Sequence, residues 1–103
     1  MHSAIQQKLG SLRLLCGKHN VRKLSLFGSA TGEEFEPGRS DVDVLVEFQA
    51  LSPTEHAERY FGLADDLEQL LGGKVDLVEP EALHNPYFRK SVEASQVVLY
   101  DTT

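Results

Sequence analysis

The stretch Asp41 to Phe48, DVDVLVEF, constrains this chain more than any other. Strict alternation puts Val42, Val44, Val46 and Phe48 on one face of a β-strand and Asp41, Asp43, Leu45 and Glu47 on the other. The valine face has to be covered, and it is expected to lie against helices. The opposite face opens with two carboxylates, two residues apart and pointing the same way. Upstream, Val21 to Phe27 mixes β-branched, aromatic and aliphatic residues over a strand's length and stops at Gly28-Ser29. An apolar run ending in Gly-Ser, an eleven-residue spacer, and a second run opened by Asp41-Val42-Asp43 together suggest a site for a metal-bound nucleotide.

Other segments supply the covering layer. Ser3 with Gln6 can form a capping box, and Ile5, Leu9, Leu12, Leu15 and Cys16 fall on one helical face until Gly17, which predicts a helix near residues 4–17. Ser52 suits an N-cap, Pro53 the first helical position, and Glu55 the third position of a capping box. The helix they open is predicted to run from Pro53 to about Leu71, with Ala57, Phe61, Ala64, Leu67 and Leu71 at helical spacing and Gly72-Gly73 as its stop. A short strand from Lys74 to Val78 follows, then a helix opened by Asn85-Pro86 and running to about Ala94, then a closing strand from Gln96 to Tyr100. This alternation favours a small α/β sandwich, with helices packed on a mixed sheet.

Composition sets the class. At 103 residues the chain is expected to form a single small domain over residues 1–103, burying roughly 60–65% of the surface its unfolded form would expose. With 41% apolar and 25% charged residues, and no run near the roughly 20 apolar residues that span a bilayer, a membrane role is not expected. The first residues, MHSAIQQKLGSLRLLCG, lack the blocks of a signal peptide, and the single Cys16 cannot form an internal disulfide, so a cytoplasmic location is expected. Net charge is −6 with ten scattered basic residues, which disfavours non-specific binding to nucleic acid and makes protein the expected large partner.

The candidate chemistry rests on few residues. Asp41 and Asp43 can grip one cation or share a pair, and without one their like charges repel and tend to raise a pKa. Hard ions such as Mg²⁺ prefer oxygen ligands and keep waters and substrate phosphates, so the pair makes sense as a metal site for phosphate chemistry. Ser40-Asp41 is also ordinary turn composition. Gly28 lets the backbone approach a phosphate, and the Ser29 hydroxyl and the following amides can donate to its oxygens; a plain strand-ending turn has the same composition. Asp76, inside Val75-Asp76-Leu77-Val78, would join Asp41 and Asp43 on one rim if its strand lies beside the second, and otherwise is an edge-strand charge that deters aggregation. His2, His19, His56 and His84 show no metal-ligand spacing and read as surface or partly packed residues. Cys16 reads as core, and Tyr60, Tyr87 and Phe88 as residues that pack or meet a partner.

Taken together, LFGS, the spacer, SDVDVLVEF, KVDLVE and the terminal VVLY resemble the polymerase-β-like nucleotidyltransferases, in particular the minimal, MNT-type group. The resemblance spans roughly residues 4–100. It implies a mixed sheet carrying helices, and three carboxylates, Asp41, Asp43 and Asp76, that bind two Mg²⁺ ions. It implies ATP as the nucleotide substrate, with Gly28 and Ser29 at the β- and γ-phosphates and attack of an acceptor hydroxyl on the α-phosphorus. Many relatives carry an arginine shortly after the Gly-Ser, whereas Ala30-Thr31-Gly32 stands here; Arg39 is the neighbouring candidate to replace it, and Ser40 could brace the metal loop. Larger members look as though they need further domains to bind the acceptor, so the acceptor site is expected to come from elsewhere. MNT-type proteins are commonly paired with a helical HEPN-domain protein in toxin-antitoxin modules, and the resemblance implies an antitoxin that adenylylates a tyrosine on a HEPN ribonuclease.

A different class of function stays open on sequence: a catalytically inactive module that neutralises its partner by complex formation. Haloacid-dehalogenase-type phosphatases use DxDx[TV], but Leu45 stands at the fifth position here and the chain is short. Glycosyltransferases with a DxD motif usually need a much larger fold.

Overall fold

The computed structural model describes residues 3–31 and 41–102. In chain order the elements are α1 (Ser3–Gln6), α2 (Leu9–Lys18), β1 (Val21–Phe27), a 3₁₀ turn (Gly28–Thr31), β2 (Val42–Phe48), α3 (Pro53–Leu71), β3 (Val75–Val78), a second 3₁₀ turn (Pro80–Ala82), α4 (Pro86–Ser95) and β4 (Val97–Asp101). The four strands form one sheet in the order β3-β2-β1-β4. β1 runs antiparallel to both β2 and β4, whereas β2 and β3 are parallel. A parallel pair needs a crossover, and α3 is that crossover.

Alternation along β2 sorts the two faces as the sequence requires. Val42, Val44 and Val46 lie in the main core with Leu24 and Leu26 of β1, Leu12 and Cys16 of α2, and Leu63, Leu67 and Leu71 of α3. Cross-strand register explains the match, since Leu24 faces Val46 and Leu26 faces Val44. The opposite face is covered only in part: Leu45 packs with Phe27, Leu83 and Val92 under α4 and the second 3₁₀ turn. Buried Cys16, its thiol pushed up to about 12 by desolvation, is a core residue, as expected. Among the described residues no helix is long and apolar enough to cross a membrane.

Several expectations need correction. The single helix over residues 4–17 is two helices, α1 and α2, separated at Gln7-Lys8. Lys8 leaves helical geometry there and its ammonium donates to the Leu70 carbonyl at 2.6 Å, satisfying one of the terminal acceptors of α3 and placing a cation at that helix's negative end. Ser3 lies within α1 rather than capping it. In α3 the cap residues act as expected: Ser52 accepts from the Glu55 amide and donates to the Glu55 carboxylate, and Gly72, at φ +71°, closes the helix with a bond to the Glu68 carbonyl. The buried face is rotated, however. Tyr60, Leu63, Leu67 and Leu71 turn inward while Ala57 and Phe61 face solvent. Tyr60 fixes that rotation by donating its hydroxyl to the Leu77 carbonyl of β3 at 2.5 Å, and Phe61 packs edge-on against the Tyr60 ring.

The histidines differ from one another. His2 lies outside the described residues. His19 is buried rather than partly packed: its Nε2 sits 2.7 Å from an Asp66 oxygen, and its ring fits because residue 62 is glycine, where an added Cβ would come 2.9 Å from Cε1. His56 pairs with Glu79 at 2.6 Å and tilts against Phe48, and His84 is exposed.

Candidate active site

The site is built where β1 ends and β2 and β3 begin. Phe27 is the register partner of Asp43, so the residue after Phe27 has to turn away beside the Asp43 side chain. Gly28 does this at φ +62°. A Cβ added at Gly28 would lie 2.5 Å from Asp43 Oδ2, so glycine here makes room for the carboxylate as well as supplying the left-handed backbone. The 3₁₀ turn that follows is tied by the Thr31 hydroxyl donating to the Gly28 carbonyl at 2.9 Å.

β3 supplies the third acid. The parallel register sets Val42 against Val75 and Asp43 against Asp76, on strands that lie roughly 4.8 Å apart. Asp41 directly precedes β2 and is held at this end of the sheet by its neighbour, whose amide (Val42) donates to the Lys74 carbonyl at 2.9 Å. Asp41 and Asp76 are exposed and Asp43 is half-buried. Burial, then the charges of Asp76 and Asp41, push the Asp43 carboxyl above the usual aspartate range. Asp43 thus feels both of its acidic neighbours on the rim, although no group of three His, Cys, Asp or Glu side chains that could hold a metal ion is preformed among the described residues.

The structure thus brings Gly28, Asp41, Asp43 and Asp76 to one end of the sheet. Asp76 also stands on an edge strand, β3. Ser29 lies in the 3₁₀ turn beside them. Arg39 and Ser40 fall outside the described residues. Beneath the rim, Phe27 and Leu45 form an apolar floor with Leu83 and Val92. The role of Gly28 as neighbour to Asp43 was hidden from the sequence, because it depends on the Phe27–Asp43 register and not on any local motif.

Comparison with known proteins decides the family. The model of the nucleotidyltransferase domain matches residues 10–99. The chain belongs to the nucleotidyltransferase domain family. A putative protein adenylyltransferase of Methanocaldococcus jannaschii is 43% identical over 82 residues, which make up 79% of each chain. Among solved structures, one described as a putative minimal nucleotidyltransferase superposes with a TM-score of 0.68 at 28% identity, covering 94% of this chain and 95% of the other. A chain from the complex of a tri-AMPylated Shewanella oneidensis HEPN toxin with its MNT antitoxin superposes with a TM-score of 0.61 at 21% identity, covering 94% of this chain and 72% of that one, a likeness of fold. The nucleotidyltransferase fold is thus the small mixed sheet expected of the polymerase-β-like group, and the chain is an enzyme of that class.

Proposed function

We propose that this nucleotidyltransferase transfers AMP from ATP to a tyrosine hydroxyl of a HEPN-domain partner and so acts as the antitoxin of a toxin-antitoxin pair. The observation that carries the reading is the alignment of Asp43 with Asp76 across β2 and β3, with Asp41 on the same rim and Gly28 against Asp43. The adenylyltransferase name of the Methanocaldococcus relative and the AMPylated toxin in the Shewanella complex support the choice of nucleotide and partner.

Asp41, Asp43 and Asp76 are the residues that would hold Mg²⁺. A rim of carboxylates without thiol or imidazole suits a hard divalent cation, and the repulsion felt by Asp43 is of the kind such a cation relieves. When bound, Mg²⁺ supplies positive charge to the phosphate oxygens and lowers the pKa of an acceptor hydroxyl. The Gly28 turn offers its backbone amides to the β- and γ-phosphates, a role to which the Ser29 hydroxyl is assigned on sequence grounds, and this would orient the α-phosphorus toward the acidic rim. Asp76, exposed at the rim, receives the proton of the acceptor hydroxyl as the oxygen attacks the α-phosphorus and pyrophosphate leaves in line. Arg39 and Ser40 are assigned supporting roles at the phosphates and the metal loop on sequence grounds.

Intact-mass analysis of a HEPN partner co-expressed with this protein tests the reading. An adenylyl adduct on a tyrosine, absent with Asp43→Ala, is the expected result. An unmodified partner that is neutralised equally well by the wild type and by Asp43→Ala would replace transfer with neutralisation by binding.

A further inference from the structure

α4 lies across the partly covered face of the sheet, and its two flanks look in opposite directions. Val92 is the inward residue, 3% exposed and packed with Phe27, Leu45 and Leu83. To one side of Val92, Arg89, Glu93 and Gln96 line a cavity of about 230 Å³ with Lys23 and Glu47, which belong to the end of the sheet away from Asp43. At 100° per residue, Phe88 and Ser95 then fall on the other flank of Val92, the side of the acidic rim. Two further observations agree. α4 lies against the Gly28–Thr31 turn, and its C-terminal end runs into Val97, the register partner of Leu26 near the end of β1. Its N-terminal end follows Leu83, after β3, which puts Phe88 over the β2–β3 side of the sheet, where Asp43 and Asp76 stand.

Phe88 is 52% exposed, on a helix start capped by Asn85, whose side chain accepts from the Tyr87 and Phe88 amides. Its neighbour Tyr87, 100° further round, faces solvent and is 85% exposed. A flat apolar ring left half open on the flank of α4 that faces the acidic rim suits a base, whose faces are apolar and polarisable while its edges stay hydrated. We propose that Phe88 is the stacking platform for the nucleobase of the bound nucleoside triphosphate, an inference that rests on the nucleotidyltransferase reading of the same rim. Stacking tolerates any base, so Phe88 contributes affinity and orientation, and selection among bases falls to other groups.

The chain has no tryptophan, so Phe88→Trp adds a single fluorescent reporter at the proposed contact. ATP with Mg²⁺ is expected to quench it, and inorganic tripolyphosphate is not. In transfer assays Phe88→Ala is expected to raise the KM for ATP on the order of 10-fold, with the loss falling on KM more than on kcat, and Phe88→Tyr to restore it. Thermal melts of Phe88→Ala close to those of the wild type would separate this from damage to the fold. Transfer with an unchanged KM in Phe88→Ala, or emission from Phe88→Trp that ignores ATP while transfer proceeds, overturns the stacking role and leaves the nucleotidyltransferase reading standing. Emission that responds to the acceptor protein without nucleotide assigns the ring to the acceptor and overturns it too. Failure of the wild type to bind or transfer any nucleoside triphosphate overturns both.

Discussion

Gly28→Ala separates the architecture of the site from the stability of the fold. The substitution does two things: it places an L-residue at φ +62°, and it sets a Cβ 2.5 Å from Asp43 Oδ2. The backbone penalty for an L-residue in the left-handed region is about 1–2 kcal/mol. The contact with Asp43 is made by the far end of the side chain, with Cγ already at 3.4 Å, so the carboxylate rotates away and the strand stays in place. Stability should therefore fall by about 1–2 kcal/mol, or roughly 4–8 °C in Tm per kcal/mol. Transfer should fall much further, because displacing a group at a reacting centre by about 1 Å can cost on the order of 10²-fold. Gly72→Ala is the matched control, since Gly72 also has positive φ, at +71°, but a Cβ there meets nothing within 4 Å. Both variants should melt lower than the wild type by similar amounts, and only Gly28→Ala should lose AMP transfer, measured on folded protein with labelled ATP. Equal transfer by the two variants would refute the claim that Gly28 keeps the Asp43 carboxylate in place.

Three further outcomes follow from the same contacts. Asp43→Asn removes a carboxylate that burial and two like charges disfavour, so the variant should melt above the wild type at neutral pH without Mg²⁺ while losing transfer; a lower Tm would contradict the reading of Asp43 as a strained group. Asp66 is held below the usual aspartate range, first by its hydrogen bond with His19 and then by Lys18, so its contribution is present above the unfolded value of about 3.9 and is lost as pH falls through the lowered folded value. Asp66→Asn should thus lower Tm at pH 7, with the gap to the wild type closing below about pH 4; a gap that stays constant down to pH 2 would remove Asp66 from the acid limb. Tyr60→Phe deletes the hydroxyl bonded to the Leu77 carbonyl and should cost about 1 kcal/mol by chemical denaturation, and no change would mean that this bond does not anchor α3 on β3.

How much of this was legible in the sequence depends on how local each determinant is. The faces of β2 follow from alternation within one strand, and both ends of α3 follow from residues at its own termini, Ser52, Pro53 and Gly72. The break at Gln7-Lys8 coincides with a contact that is not local, the Lys8 ammonium on the carbonyl of Leu70. The rotation of α3 is ambiguous by nature: Ala64, Leu67 and Leu71 fit a stripe begun at Phe61 as well as one begun at Tyr60 and Leu63, and tertiary contacts choose between them, with Leu63 in the core and Tyr60 bonded to β3. Burial of His19 needed Asp66 and a glycine at position 62, both from another helix.

For the site, spacing alone put Asp41 and Asp43 on one face, but the place of Asp76 depended on strand order. Alternation says which way a side chain points and is silent on which strand lies alongside. The parallel pairing of β2 with β3 supplies that step, and its consequence is that the charges of Asp76 and Asp41 add to burial in raising the Asp43 carboxyl above the usual range. Gly28 shows the same division, since its turn is a local matter and its contact with Asp43 a matter of register.

The most direct measurement is transfer of label from α-phosphate-labelled ATP, with Mg²⁺, into protein of a host lysate, comparing the wild type with Asp41→Asn and repeating with the other nucleoside triphosphates. A labelled band that appears with ATP and requires Asp41 is the expected result, and its size identifies the acceptor. No labelled protein with any nucleotide, alongside a stable complex with the partner, would contradict a transferase built on the Asp41, Asp43 and Asp76 rim.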